Sequence, residues 1–135
     1  MSVWAIGDSV RIDPLSGRAF EDSPLLFPDC QTGEYRKRNF VEDGAHKRVS
    51  LQAARNEIAA VQLIVERTGE AALTGVQVEI GELTGPGGAK IPEADVDLFK
   101  EWYVRLRRPS RQKYSLGPGY YPDALMPCRR WKGNL

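Results

Sequence analysis

The side chains of this sequence that could do chemistry are chiefly its carboxylates, and their spacing decides what they can do. Acid–base cleavage of a sugar linkage needs two carboxyl groups a set distance apart. Asp8, Asp13, Asp95, Asp97 and Asp123 are candidates, with Glu57 beside them. Nothing in their spacing pairs them, so no catalytic residue is assigned. The single His46 lies in an alternating polar segment with no Ser/Asp constellation around it, which predicts a structural role. Cys30 and Cys128 stand far apart, without CxxC or Cys/His spacing. That pattern predicts no zinc site and no cofactor, and favours two free thiols over a disulfide. The glycine-rich stretch TGPGGAK at 84–90 fails the GxxxxGK[ST] spacing of a phosphate loop, and Pro92 denies it a following helix; it reads as a hairpin loop.

Two surface stretches could bind rather than react. Arg105, Arg107, Arg108, Arg111 and Lys113 interleave with Tyr103 and Tyr114, a mixture suited to single-stranded nucleic acid. The near-neutral chain favours a solvated face or a meeting with an acidic partner domain, and no nucleic acid is expected. Tyr120-Tyr121-Pro122-Asp123 offers aromatic faces for sugar rings and a carboxylate for their hydroxyls, so Tyr120, Tyr121 and Asp123 are the candidate carbohydrate contacts. The competing reading packs those tyrosines against the domain.

The elements that must position these groups are strands. Glu57–Glu66 is almost continuously apolar, which predicts a central strand covered on both faces. A tight corner at Ala54–Asn56 precedes it. Asn56 suits a left-handed turn, while Glu57 and Gln62, set among apolar neighbours, need partners, with Arg55 or a distant arginine expected for Glu57. Arg55, Asn56, Glu57 and Gln62 therefore read as a structural corner. Val3–Asp13 alternates with Trp4, Ile6, Val10 and Ile12 inward, and Asp13-Pro14 ends it. The region from Pro14 to Gly44 is long and irregular, with an apolar plug at Leu25, Leu26 and Phe27 and a short strand expected near 34–40. Lys47–Ala53 and Val76–Ile80 alternate as half-buried strands. Val96–Arg108 is the last long strand, with Val96, Leu98, Trp102, Val104 and Leu106 on one face. Beyond Pro109, glycines and prolines predict an irregular tail.

Together these elements predict an all-β fold, an antiparallel β-sandwich of immunoglobulin-like or jelly-roll-like kind, over residues 1–110. Residues 111–135 would be an irregular linker. The 135 residues suffice for one core, 41% are apolar, and the formal charge of +1 predicts no strong field toward nucleic acid or an acidic membrane. No apolar run approaches the roughly 20 residues of a spanning helix, so no membrane partner is expected. The first residues lack the pattern of a signal peptide. A cytoplasmic location is expected if Met1 is the native start, and an extracytoplasmic one if a leader was trimmed.

Three stretches, in order, carry a resemblance. LQAARNEIAAVQLIV resembles the A-R-N-E…Q strand of the N-terminal β-sandwich in proteins related to glycoside hydrolase family 123. GVQVEIGELTG and VDLFKEWYV are similar to the strands that follow it. GYYPDALMP resembles the G-x-Y-P-D-x-L-x-P segment leading into the catalytic barrel of that family. The resemblance runs from about Leu51 to Pro127. It implies an accessory module beside a downstream (β/α)₈ barrel that removes N-acetylated hexosamine with a barrel-borne Asp-Glu pair. It carries Arg55, Asn56, Glu57 and Gln62 as structural positions, and Tyr121, Pro122, Asp123 and Pro127 as the connection. The expected partners are thus a catalytic barrel and, on the alternative reading of a free-standing carbohydrate-binding module, a glycan.

Overall fold

The computed structural model describes residues 1–20, 35–112, 115–128 and 131–133, the last three as backbone. The described residues are all-β: ten strands in five two-stranded antiparallel ladders, with short 3₁₀ turns at Pro86–Gly88 and Glu93–Asp95. The plug at Leu25–Phe27, Cys30, Lys113 and Tyr114 lie outside the described residues.

The core is built on β1 (Ser2–Gly7). It pairs with β4 (Val61–Glu66), from Ser2 opposite Glu66 to Gly7 opposite Val61. Because side chains alternate across a strand, Trp4 and Ile6 share a face with Gln62, Ile64 and Glu66. That face is the buried one: Trp4 (2% exposed), Ile6 and Ile12 meet Ala19 and Tyr35, with Val10 and Ile64 packed on the margin. The inward set expected from the first alternation is therefore in place. The strand itself is shorter than expected, because the Val10 amide turns back to the Gly7 carbonyl at 3.2 Å. Asp13 then closes a tight loop. Its carboxylate accepts from the Leu15 and Ser16 amides and the Ser16 hydroxyl, and Gly17 takes the left-handed φ of 64° that the return requires. Ile12 and Ala19 bridge across that loop.

Four expectations are corrected. Glu57–Glu66 is not a strand covered on both faces. The strand begins at Val61 and, among the described residues, has only β1 as a neighbour; Ile58 is 94% exposed and Leu63 is 51% exposed. An apolar run records composition; it does not supply the second neighbouring strand. Lys47–Ala53, expected as a half-buried strand, contributes only the exposed β3 (Arg48–Val49), paired with β2 (Glu42–Asp43). The strand anticipated near 34–40 is reduced, within the described residues, to turns and one bridge from Arg38 to Asp43.

The fourth correction concerns the tail. Gly119–Cys128 is not irregular: it forms β9, the longest strand, paired along its length with β8 (Leu98–Leu106). Both prolines inside β9 stand at one phase of the ladder, Pro122 opposite Tyr103 and Pro127 opposite Phe99. An edge strand tolerates proline where the missing N–H would have pointed away from its partner. The register skips Asp123 between Trp102 and Tyr103, a β-bulge next to Pro122.

The rest is small. β5 (Val76–Val78) pairs with β10 (Trp131–Gly133), and β6 (Leu83–Thr84) with β7 (Lys90–Ile91). The last pair flanks the 3₁₀ turn at Pro86–Gly88, so TGPGGAK is a hairpin loop as its composition indicates.

Candidate functional site

The polar groups of the core form one node below β1 and β4. The Trp4 indole N–H donates to the Glu66 carboxylate at 3.0 Å, and the Arg36 guanidinium pairs with the same carboxylate at 3.0 Å. Arg36 also donates to the Gly17 carbonyl and lies over the Trp4 and Tyr35 rings. Its hydrogen bond to Glu66 holds its pKa above the ordinary range. The Tyr35 hydroxyl accepts from the Ala19 amide at 2.9 Å. Each group completes another's hydrogen bonding, which makes the node a fastening rather than a reactive centre. Sequence reading missed it. The available signals were an indole on a buried face, which needs an acceptor, and a glutamate ending the apolar run.

A second cluster closes the outer edge of β1. Ala5 turns its N–H to the Glu42 carboxylate at 2.7 Å and its C=O to the Asn39 carboxamide, also at 2.7 Å. Asn39 further donates to the Tyr35 carbonyl and accepts from the Val41 and Glu42 amides. Glu42, only 9% exposed, is the one buried charged residue among those described.

The structural corner places its residues as follows. Asn56 has φ 66°, the Glu57 amide donates to the Ala54 carbonyl, and the Glu57 carboxylate accepts from the Ala54 amide at 2.6 Å. Arg55 is an exposed turn residue. Gln62 donates from its amide nitrogen to the carbonyls of Gly7 and Val10, at 2.9 and 2.6 Å, pinning the turn that ends β1. Its own oxygen is buried with no partner among the described residues.

The candidate sugar contacts lie at the start of β9. Tyr120 and Tyr121 are consecutive, so they project from opposite faces. Arg105 lies 5.8 Å over the Tyr120 ring. Tyr121 stacks on Phe20 with centroids 4.8 Å apart, and its hydroxyl donates to the Gly117 carbonyl at 2.9 Å. Asp123 is exposed at the bulge. A groove beside them, of about 370 Å³, is lined by Asp13, Ser16, Arg18, Phe20, Tyr120 and Tyr121 among others. The two tyrosines therefore do not form one flat platform, and Trp102 projects from the face opposite Tyr103.

The carboxylates remain scattered. Asp8, Asp95, Asp97 and Asp123 are exposed at separate places, and Asp13 is committed to its own loop. Glu101, half-buried on β8, has its pKa raised by burial. Tyr103 nearby is pushed up to about 12 by burial first, then by the charges of Glu101 and Asp13. His46 caps a surface hairpin, its Nδ1 2.7 Å from Asp43, and that hydrogen bond lowers the Asp43 pKa. Cys128 is a half-buried free thiol. No group of three or more His, Cys, Asp or Glu is gathered for a metal among the described residues, and none of their helices is long and apolar enough to cross a membrane.

One unexplained surface is apolar. The face of β1–β4 opposite the core presents Val3, Ala5 and Leu63 in an open groove of about 780 Å³, continued by Val49 and rimmed by Arg36, Lys37, Lys47 and Glu42. Phe99, Trp102, Leu106, Leu125 and Met126 are similarly exposed on β8 and β9. No protein family, curated protein or solved structure matches this chain.

Proposed function

We propose that this chain is a non-catalytic β-module that buttresses a catalytic domain, of the glycoside-hydrolase kind its sequence resembles. The partner would be a downstream (β/α)₈ barrel acting on N-acetylhexosaminides. On this reading the β1–β4 and β8–β9 ladders belong to the two layers of a sandwich that is completed when the barrel docks.

One observation carries the reading. The described strands leave large apolar side chains about half exposed: Val3 at 49%, Leu63 at 51%, Phe99 at 47% and Trp102 at 51%. Large apolar side chains left this exposed on paired strands mark faces that another body covers. The scattered acids argue in the same direction, since two-carboxylate hydrolysis needs convergence on one spot.

A glycan-binding role is the second reading, favoured by the groove beside Tyr120 and Tyr121. The opposed directions of the two rings, and the engagement of Tyr121 by Phe20, weigh against an aromatic platform.

The test is made on the purified chain. It is expected to leave a nitrophenyl N-acetylhexosaminide uncleaved and to bind an apolar dye, with dye displaced when a barrel domain encoded beside it is added. Turnover of the glycoside by the chain alone would overturn the support role. Saturable glycan binding that weakens in Tyr121→Ala would replace it with the second reading.

A further inference from the structure

The outer edge of β8 carries an inference that is independent of the support role. Its sheet contains only β8 and β9, so no described strand pairs with that edge. Phe99, Trp102 (51% exposed) and Leu106 lie along it. A long, partly apolar edge left unpaired among the described strands is a template for another strand. The prolines of β9 identify which backbone groups are available. Pro122 and Pro127 stand opposite Tyr103 and Phe99. The odd-numbered residues of β8 are therefore the ones that turn their N–H and C=O away from β9.

The charges select the occupant. Glu93, Asp95 and Asp97 precede β8, whereas Arg105, Arg107 and Arg108 end and follow it. A strand that runs from acidic to basic is complementary to its own antiparallel image, as a two-fold interface requires. An acidic protein or a nucleic acid would match only the basic end and would meet like charge at the other.

We propose that two copies of this chain pair β8 against β8, antiparallel, about a two-fold axis at Trp102. Asp97 then faces Arg107 of the other copy, Leu98 faces Leu106, Phe99 faces Arg105 and Glu101 faces Tyr103, each pair occurring twice. The odd-numbered pairs exchange the backbone hydrogen bonds. A shift of two residues one way sets Glu101 against Glu101. The same shift the other way sets Leu98 against Arg108 and Leu106 against Lys100. The two ladders merge into a four-stranded sheet in the order β9, β8, β8, β9. A junction of one strand pair is smaller than a standard interface of about 1,600 Å², so the dimer assembles in the micromolar range or above.

Sedimentation equilibrium of the whole chain, at tens to hundreds of micromolar, tests this. The wild type should fit a monomer–dimer equilibrium that weakens with added salt. Asp97→Arg or Arg107→Asp, each placing like charges opposite, should weaken it about tenfold. An equimolar mixture of the two variants should dimerise as well as the wild type, because one copy then offers arginine at both positions and the other aspartate. Circular dichroism checks that each variant is folded. Should a reversal misfold, Asp97→Asn and Arg107→Gln replace it, each with a smaller loss and with a flatter salt dependence. A monomeric wild type, a dimer indifferent to both substitutions, or a mixture no better than either variant alone would overturn the proposal.

Discussion

Asn39 donates from its carboxamide to the carbonyl of Ala5 at 2.7 Å, standing where a neighbouring strand would otherwise be. With Glu42 receiving the Ala5 amide, two side chains replace one rung of a ladder. β1 is thereby protected from edge pairing at its most buried point.

Asn39→Ala should therefore cost more than a surface substitution. It removes two donated and two accepted hydrogen bonds and strands the Ala5 carbonyl. A loss of about 2–3 kcal/mol is expected from urea unfolding. Asn39→Asp keeps the accepted bonds but sets a carboxylate oxygen against the Ala5 and Tyr35 carbonyls, and should cost at least as much as Ala at neutral pH.

Phe20 and Tyr121 join the first loop to the β8–β9 ladder through one stacked contact. A double-mutant cycle with Phe20→Leu and Tyr121→Leu should return a coupling of about 1 kcal/mol. Tyr121→Phe, which loses only the bond to Gly117, should keep most of that coupling.

Asn56 holds φ 66° in the turn before β4. Asn56→Gly should be neutral or slightly stabilising, and Asn56→Ala should destabilise by about 1 kcal/mol. Thermal unfolding of the two variants side by side gives the comparison. A reversed order would mean that the turn is not under left-handed constraint.

Glu101 is held above the ordinary carboxyl value of 4.5 by burial. The folded state keeps its proton to higher pH than the unfolded state does. The stability it contributes is full below 4.5 and is lost as pH rises through the folded pKa. Glu101→Gln should thus stabilise the protein at neutral pH and make little difference in acid, as measured by denaturation at both pH values. Tyr103 behaves alike at the alkaline end. Its phenol, pushed to about 12, should be missing from the tyrosinate absorbance at pH 10.5, so Tyr103→Phe should leave that signal unchanged.

The legible parts of this fold were those with local causes. Trp4, Ile6 and Ile12 were placed by alternation, and the 84–90 loop by its glycines. β9 was hidden because Pro122 and Pro127 read as breakers along the chain. Only the phase of a partner strand makes them acceptable, and that phase is a tertiary fact. The fastenings through Arg36, Asn39, Glu42 and Glu66 were illegible for a related reason. Their partners lie 30 or more positions away in several cases, and no spacing rule links a polar residue to a distant carbonyl. The apolar run before Glu66 misled by suggesting two covered faces, when it reports only what the strand would bury given company.

The register that sets Ser2 against Glu66 also orders events during synthesis. Nascent β1 must wait for everything through β4 to leave the ribosome, whereas β8 and β9 meet across the short connection between Leu106 and Gly119. Closing the longer loop costs about 1 kcal/mol more entropy. Refolding in vitro should then run out of chain order, the late-made ladder zipping first and the earliest-made residues docking last.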